Sequence, residues 1–307
     1  MFTYHTKFDI DIRTAIKSKA LQDSLIRAIL WNIEGADEVW TVSRGAGENL
    51  ESIGYRGKWR VMDNGVDFAR GHASMEKQNE ISRLHNLTDH APVFLFTGRL
   101  RWYKGIRIIL EGLAKAKARG AKFHMLFVGD GSDRGEIEEL THKLGLTDQC
   151  VFVGSIQDRE LLRAYYSRAD LFLFPSTFDT NGIVVREAAA CGLGAVLVKG
   201  SCAAEGITDG QNGILIGENA DSLCAAVLFA CSHRDEVRQV GLHAEREIYL
   251  SWEDSVLRAR ARYAELLEER KSNPPEKRHD AFPFLSDIVE GAGRLQRWHR
   301  LLNAKLK

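Results

Sequence analysis

Several things are scarce or missing from this 307-residue chain, and each excludes something. Net charge is absent: Lys plus Arg and Asp plus Glu stand at 42 each, so nothing overall attracts the chain to nucleic acid, and any pull toward an acidic surface must be local. Metal-ligand spacing is absent as well. The five cysteines (Cys150, Cys191, Cys202, Cys224, Cys231) are odd in number and form no CxxC or His-flanked pattern, so small core residues in a reducing compartment are expected. No apolar run approaches the about 18 residues a membrane span needs, and no signal-peptide pattern opens the sequence. The expected location is cytoplasmic. A standard GxGxxG is lacking too. Gly129-Asp130-Gly131 follows an apolar run, but the third glycine is displaced to Gly135 and no acidic residue ends the next strand, which argues against a dinucleotide-dependent oxidoreductase.

What is present is a regular alternation, in a chain long enough for two domains. The central stretch is Leu171 to Val198, LFLFPSTFDTNGIVVREAAACGLGAVLV. Leu171–Phe174 and Ala195–Val198 are short uninterrupted apolar runs, as in parallel strands buried on both faces. Between them Thr180, Asn181 and Gly182 read as a helix start that caps the alanine-rich run ending at Gly192. Free backbone N–H groups at Gly182, Ile183 and Val184 would favour a phosphate. Glu187, one turn deeper, would repel a phosphate and suits the donor hydroxyls of a ribose, and Asp179 is a second acceptor on the loop above. Amides for phosphate with two carboxylates for hydroxyls describe a sugar nucleotide.

The surrounding segments extend the pattern. Strands are expected at Val93–Thr97, His124–Val128, Val151–Val153 and Ile214–Ile216. Helices are expected at Ile106–Ala118, Gly135–Leu144, Asp158–Ser167, Asp221–Cys231, Asp235–Glu247 and Trp252–Arg270. Residues 69–90 are polar and read as a connection. Gly98-Arg99-Leu100 and Lys104-Gly105 fall between a strand and a helix, where an Arg fork and a Lys point charge neutralise a diphosphate leaving group as its charge grows. Before residue 67 the expected elements are a strand ending at Phe2–Thr6, helices at Leu21–Ile33 and Ala46–Ile53, and strands at Glu38–Ser43 and Trp59–Met62.

Asp179 and Glu187, with seven residues between them, resemble the acidic-x7-Glu signature of the family 4 retaining glycosyltransferases, with Asp where that signature usually has Glu. GRLRWYKG (98–105), VGDG (128–131), NGVD (64–67) and DGQNG (209–213) resemble further motifs of the same family, in the same order. The resemblance runs from about Tyr4 to Arg270 and implies the α/β GT-B fold. A Rossmann-like, parallel-sheet donor-binding domain would occupy 67–270, its last helix 252–270 crossing back to a truncated N-terminal Rossmann-like domain in 1–66. The first half of that domain is expected to be missing. Residues 271–307 would form a linker and a basic amphipathic tail.

In functional terms the resemblance implies transfer of a sugar, with retention, from a nucleoside-diphosphate donor (UDP is expected) to a saccharide or lipid acceptor in cell-surface glycan synthesis. Arg99 and Lys104 would hold the diphosphate, and Gly98, Gly129 and Asp130 would lie near the nucleotide. Ile156 would pack on the base, and Asn181 would belong to the donor loop. His5 and Asp179 would touch the transferred sugar, although a lone His at a strand end is ordinarily a structural hydrogen-bonding group. No cofactor and no metal is expected. A rival expectation is a fragment that binds a sugar nucleotide or a partner chain without turnover. Leu295, Trp298, Leu302 and Leu306, ringed by Arg294, Arg297, Arg300, Lys305 and Lys307, would either contact the inner face of a membrane peripherally or dock on protein.

Overall fold

The computed structural model of the chain describes residues 1–272, so the stripe expected in 294–307 lies outside the described residues. Two all-parallel sheets organise it. The smaller has the order β1-β2-β3 (Phe2–Tyr4, Val39–Thr41, Trp59–Val61). The larger has the order β6-β5-β4-β7-β8-β9, from β4 (Val93–Thr97), β5 (His124–Val128), β6 (Cys150–Gly154), β7 (Leu171–Phe174), β8 (Ala195–Val198) and β9 (Ile214–Ile216). Strand order therefore runs outward in one direction from β4 and in the other from β7. That is the doubly wound pattern, in which the crevice for a ligand opens at the carboxyl ends of the two adjoining strands.

Burial explains why the strands are uniform apolar runs. Helices cover both faces of a doubly wound sheet, so every position of β4, β7 and β8 is buried. Phe94, Phe96, Phe127, Phe172 and Phe174 are at most 1 % exposed, and Phe127, Phe96, Phe174 and Phe172 form a run of tilted and stacked ring contacts across the sheet. Each contributes about 1.5–3 kcal/mol by leaving water. The helices of this part are α4 (Met75–Leu84), α5 (Ile106–Ala118), α6 (Arg134–Lys143), α7 (Arg159–Arg168), α8 (Ile183–Ala190), α9 (Ala220–Ser232) and α10 (Arg234–Glu247). The small sheet has its own core, built from Tyr4, Ile26, Leu30, Ile33, Val39 and Leu50 with α1 (Phe8–Ala15), α2 (Lys19–Glu34) and α3 (Arg44–Ser52).

Two helices depart from the sequence pattern. α1 has no counterpart among the expected elements, and α4 lies inside the polar stretch that reads as a connection. α4 is capped by Ser74 Oγ on the Lys77 amide, but it buries only Ile81, so its apolar stripe is too thin to register as periodicity. Of Glu38–Ser43 only Val39–Thr41 is strand: Ser43 instead caps α3, its Oγ accepting from the Ala46 amide at 3.0 Å.

The final helix, α11 (Trp252–Ser272), reaches the small sheet. Arg262 grips Glu38 with both ends of its guanidinium, Nε to Oε1 at 3.0 Å and Nη2 to Oε2 at 2.5 Å, and also bonds Glu265 and Glu269. Tyr263 packs on Trp40, ring centroids 5.0 Å apart. Arg270 pairs with Asp37. At the other end of the small sheet, Glu205 accepts both free amides at the start of α3, Arg44 N at 2.7 Å and Gly45 N at 2.6 Å, which places a carboxylate on the positive end of that helix. Among the described residues no helix is long and apolar enough to cross a membrane.

The hydrogen bonds from Arg262 hold the Glu38 carboxyl below the ordinary glutamate value of 4.5. A lowered carboxyl stabilises the fold above its unfolded value, and the contribution is lost as pH falls through its folded value. Glu38→Gln should therefore flatten the acid limb of the stability curve below about pH 4.5. Arg262→Met should cost about 1–3 kcal/mol at neutral pH, since both partners are largely buried. Urea unfolding across pH reads both effects.

Candidate active site

The site is assembled from the loops that leave β4 and β7. After Thr97 the chain turns at Gly98, exposes Arg99, and makes a short 3₁₀ turn, Trp102–Lys104. The loop after β5 and the first turn of α6 hold this turn in place: Asp133 accepts from the Trp102 amide at 2.9 Å and Glu136 accepts from the Trp102 indole N–H at 2.8 Å. The Asp133 carboxyl is correspondingly held below the usual aspartate range, chiefly by that amide. The turn presents Lys104 to the loop after β7. Its ammonium donates to Asp179 Oδ1 at 2.5 Å, and Ser176 Oγ donates to Asp179 Oδ2 at 2.5 Å. Lys104 is mostly buried, with its Nζ 5.8 Å from the centre of the Phe174 ring.

These groups face a cavity of about 260 Å³. His5, Lys104 and Asp179 line it, together with Gly98 and Thr97 from β4 and its loop, and Asn181, Gly182, Ile183 and Val184 from the start of α8. Eight of the thirteen residues singled out from the sequence thus meet in one hollow. α8 begins at Gly182, whose left-handed backbone (φ 63°) turns the chain into the helix. The Ile183 and Val184 amides, in the first turn, have no intrahelical acceptor to reach.

Capping by Thr180 and Asn181 is not what the structure shows. Thr180 Oγ1 donates to the His5 carbonyl at 2.7 Å, and Asn181 Nδ2 donates to the Val42 carbonyl. Both side chains reach across to the small sheet, where open carbonyls follow β1 and β2, and the helix is left to start on glycine. A local reading of Thr-Asn-Gly gives no sign of partners 139 and 175 residues away.

The other predicted residues lie outside the cavity wall. Glu187 is buried behind it, 8 % exposed, accepting from Arg159 Nη1 at 3.1 Å and Tyr166 Oη at 3.0 Å. Tyr166 is fully buried and hydrogen-bonded to Thr97 Oγ1. Burial first, and then the Glu187 charge, push the Tyr166 hydroxyl well above its usual range. It stays protonated and gives its one proton to Glu187, so the Thr97 hydroxyl must be the donor to Tyr166. A relay therefore runs from the cavity wall at Thr97 through Tyr166 to Glu187, with Arg159 beyond. Neither Tyr166 nor Arg159 carries a motif that would have flagged it.

Arg99 is exposed, with no side-chain partner among the described residues. Asp130 closes its own turn, accepting from the Gly131 amide at 2.8 Å. Ile156 is partly buried against the main core. Gly129 acts through its backbone, lying with φ 131° directly against the Gly98 carbonyl, where a β-carbon would collide with the oxygen. That contact keeps the loops after β4 and β5 at the same height over the sheet. Among the described residues no cluster of His, Cys, Asp or Glu is arranged to hold a metal ion.

The family description "Glycosyl transferases group 1" matches residues 77–246, which take in both site loops and more than half of the chain. The chain belongs to the group 1 glycosyl transferases. It is 28% identical over 225 residues to an uncharacterized glycosyltransferase of Methanocaldococcus jannaschii, covering 71% of this chain and 57% of that one. It is 24% identical over 194 residues to the alpha-monoglucosyldiacylglycerol synthase of Streptococcus pneumoniae, covering 62% and 44%. The chain thus spans about half the length of the curated relatives it matches. Among solved structures it resembles the sucrose-phosphate synthase of Thermosynechococcus elongatus, with a TM-score of 0.72 and 25% identity over 87% of this chain and 67% of that one. Its architecture is that of GT-B glycosyltransferases.

In this chain Gly129→Ala should be among the most costly single-methyl additions. Adding a β-carbon at that φ and against that carbonyl is expected to destabilise by about 3 kcal/mol or more. Denaturant unfolding, with Gly135→Ala as the open-space control, measures it.

Proposed function

We propose that the chain carries the donor site of a retaining glycosyltransferase that moves a sugar from a UDP-linked donor to a saccharide or lipid acceptor. The supporting observation is the Lys104–Asp179 pair beside the first amides of α8, at the crevice where strand order reverses. A diphosphate at those amides competes with Asp179 for Lys104. Two phosphate groups outweigh one carboxylate, so the ammonium changes partner. Asp179 is then left with Ser176 and one free oxygen, a suitable acceptor for a sugar hydroxyl. Binding the donor thereby builds the sugar-binding group.

The same cation stabilises the leaving diphosphate as the glycosidic bond lengthens, where charge develops most. Arg99, exposed on the same loop, adds a second positive charge. His5 lines the same cavity as Asp179 and would touch the transferred sugar. The acceptor attacks on the face the diphosphate leaves, which gives retention without a covalent intermediate. Behind the wall, Glu187 is fixed by Tyr166 and Arg159 with lone pairs to spare for a ribose diol. No cofactor beyond the donor enters this scheme. The pneumococcal relative is by name a synthase of a glycosylated diacylglycerol, which is in keeping with a lipid acceptor.

A second reading, binding without turnover, is favoured by one feature: both Asp179 oxygens are already engaged. Calorimetry with UDP, GDP and NAD, followed by release of sugar from the matching donor, separates the readings. UDP should bind, and Lys104→Met should weaken it about 10- to 100-fold, the loss of one charge-assisted contact. Glu187→Gln should weaken UDP more than its 2′-deoxy analogue. Binding of NAD alone would sink the donor reading, and UDP binding with no sugar release or transfer would leave the second.

A further inference from the structure

A second and larger cavity, about 480 Å³, adjoins the first. The same two loops wall both. Lys104, Phe174 and Asp179 turn into the donor cavity, and their neighbours Tyr103, Gly105, Pro175, Thr177 and Phe178 turn into the other. The roof is shared as well, with His5 over the first and Ile10, five residues on, over the second.

The lining of this second cavity is unusual for a solvent-facing surface. Tyr103 and Phe178 pack against each other, centroids 4.5 Å apart, yet are 39 % and 36 % exposed. Trp102 lies beside them with the Arg107 guanidinium stacked on its ring at 4.5 Å. At the rim stands Glu218, tied by one oxygen to Thr177 Oγ1 at 3.0 Å. A hollow of this size with an aromatic wall and a few placed polar groups has the make-up of a small-molecule site.

We propose that this cavity is a saccharide subsite, holding a ring of the acceptor while the donor cavity holds the sugar to be transferred. The proposal rests on the donor-site reading above. Opposite charges at the rim select the ligand class. A pyranose lays its C–H face on Tyr103 and Phe178 while its hydroxyls donate to Glu218 and accept from Arg107. An alkyl chain would cover the rings but desolvate both ions without replacing their hydrogen bonds. Because His5 and Ile10 belong to one short segment, a glycan lying along residues 5–10 reaches from one cavity to the other.

Saturation-transfer NMR on the full chain with maltose, lactose and α-1,6-mannobiose tests this, with UDP binding followed in the same samples. At least one disaccharide should receive saturation through its ring C–H protons. Phe178→Ala and Glu218→Gln should each weaken it tenfold or more and leave UDP affinity within twofold. The proposal is overturned if none of the three binds, if both variants bind as well as the parent, or if octanol displaces the disaccharide as readily as free sugar does. Disaccharide binding without any UDP binding would remove the donor reading and leave this cavity a saccharide site.

Discussion

Strand order reverses between β4 and β7, and the rest of the site depends on that reversal. Helices that follow β4 leave on one side and those that follow β7 on the other, so nothing covers the adjoining carboxyl ends. Two consequences come from one geometry. The loops there are free of the packing that fixes the strands, and they are close enough for Lys104 on one to meet Asp179 on the other. A lysine in the same sequence setting, but on a loop two strands away, would be a solvated surface charge.

The second constraint is that the small sheet must stay over that crevice. Apolar packing accounts for little of the hold, since each sheet keeps its own core. The contacts are instead directional: Glu205 on the α3 amides, Arg262 on Glu38, Arg186 on Asp63 at 2.7 Å, and the Thr180 and Asn181 side chains on carbonyls near β1 and β2. Burial pushes the Arg186 guanidinium below its usual range, and the Asp63 carboxylate beside it opposes that shift. Such contacts fix orientation more than they add stability. The residues that open α8 therefore serve two ends, their amides facing the cavity and two of their side chains holding its roof.

How much of this was legible follows from where each signal resides. Parallel strands buried on both faces write themselves as apolar runs, so β4, β5, β7, β8 and β9 were readable residue by residue. Helices that bury a broad face, such as α5 and α9, were readable too. α4, with Ile81 alone buried, was not, because its stability comes from its neighbours. Loop residues divide the same way. Lys104, Asp179 and Gly182 could be placed because a strand precedes them and a helix follows. Tyr166 could not: it sits in the interior of α7 and looks like any core aromatic until the fold sets it between Thr97 and Glu187. The capping role read for Thr180 and Asn181 failed for a related reason, since local chemistry cannot show a partner that tertiary structure provides.

The substitution of Asp for the more usual Glu at position 179 takes its meaning from this geometry. Position 179 is close enough to Lys104 for the short side chain to reach the ammonium, and Ser176, three residues back, supplies the second hydrogen bond. The shorter acid is thus committed in this structure, one oxygen to Lys104 and the other to Ser176. The positive charge of the cavity is masked in the same way, leaving exposed Arg99 as the nearest unpaired cation on the β4 loop to draw an anion in. In the donor site proposed above, Lys104 would exchange Asp179 for the diphosphate, so that its charge is turned to the leaving group where charge develops.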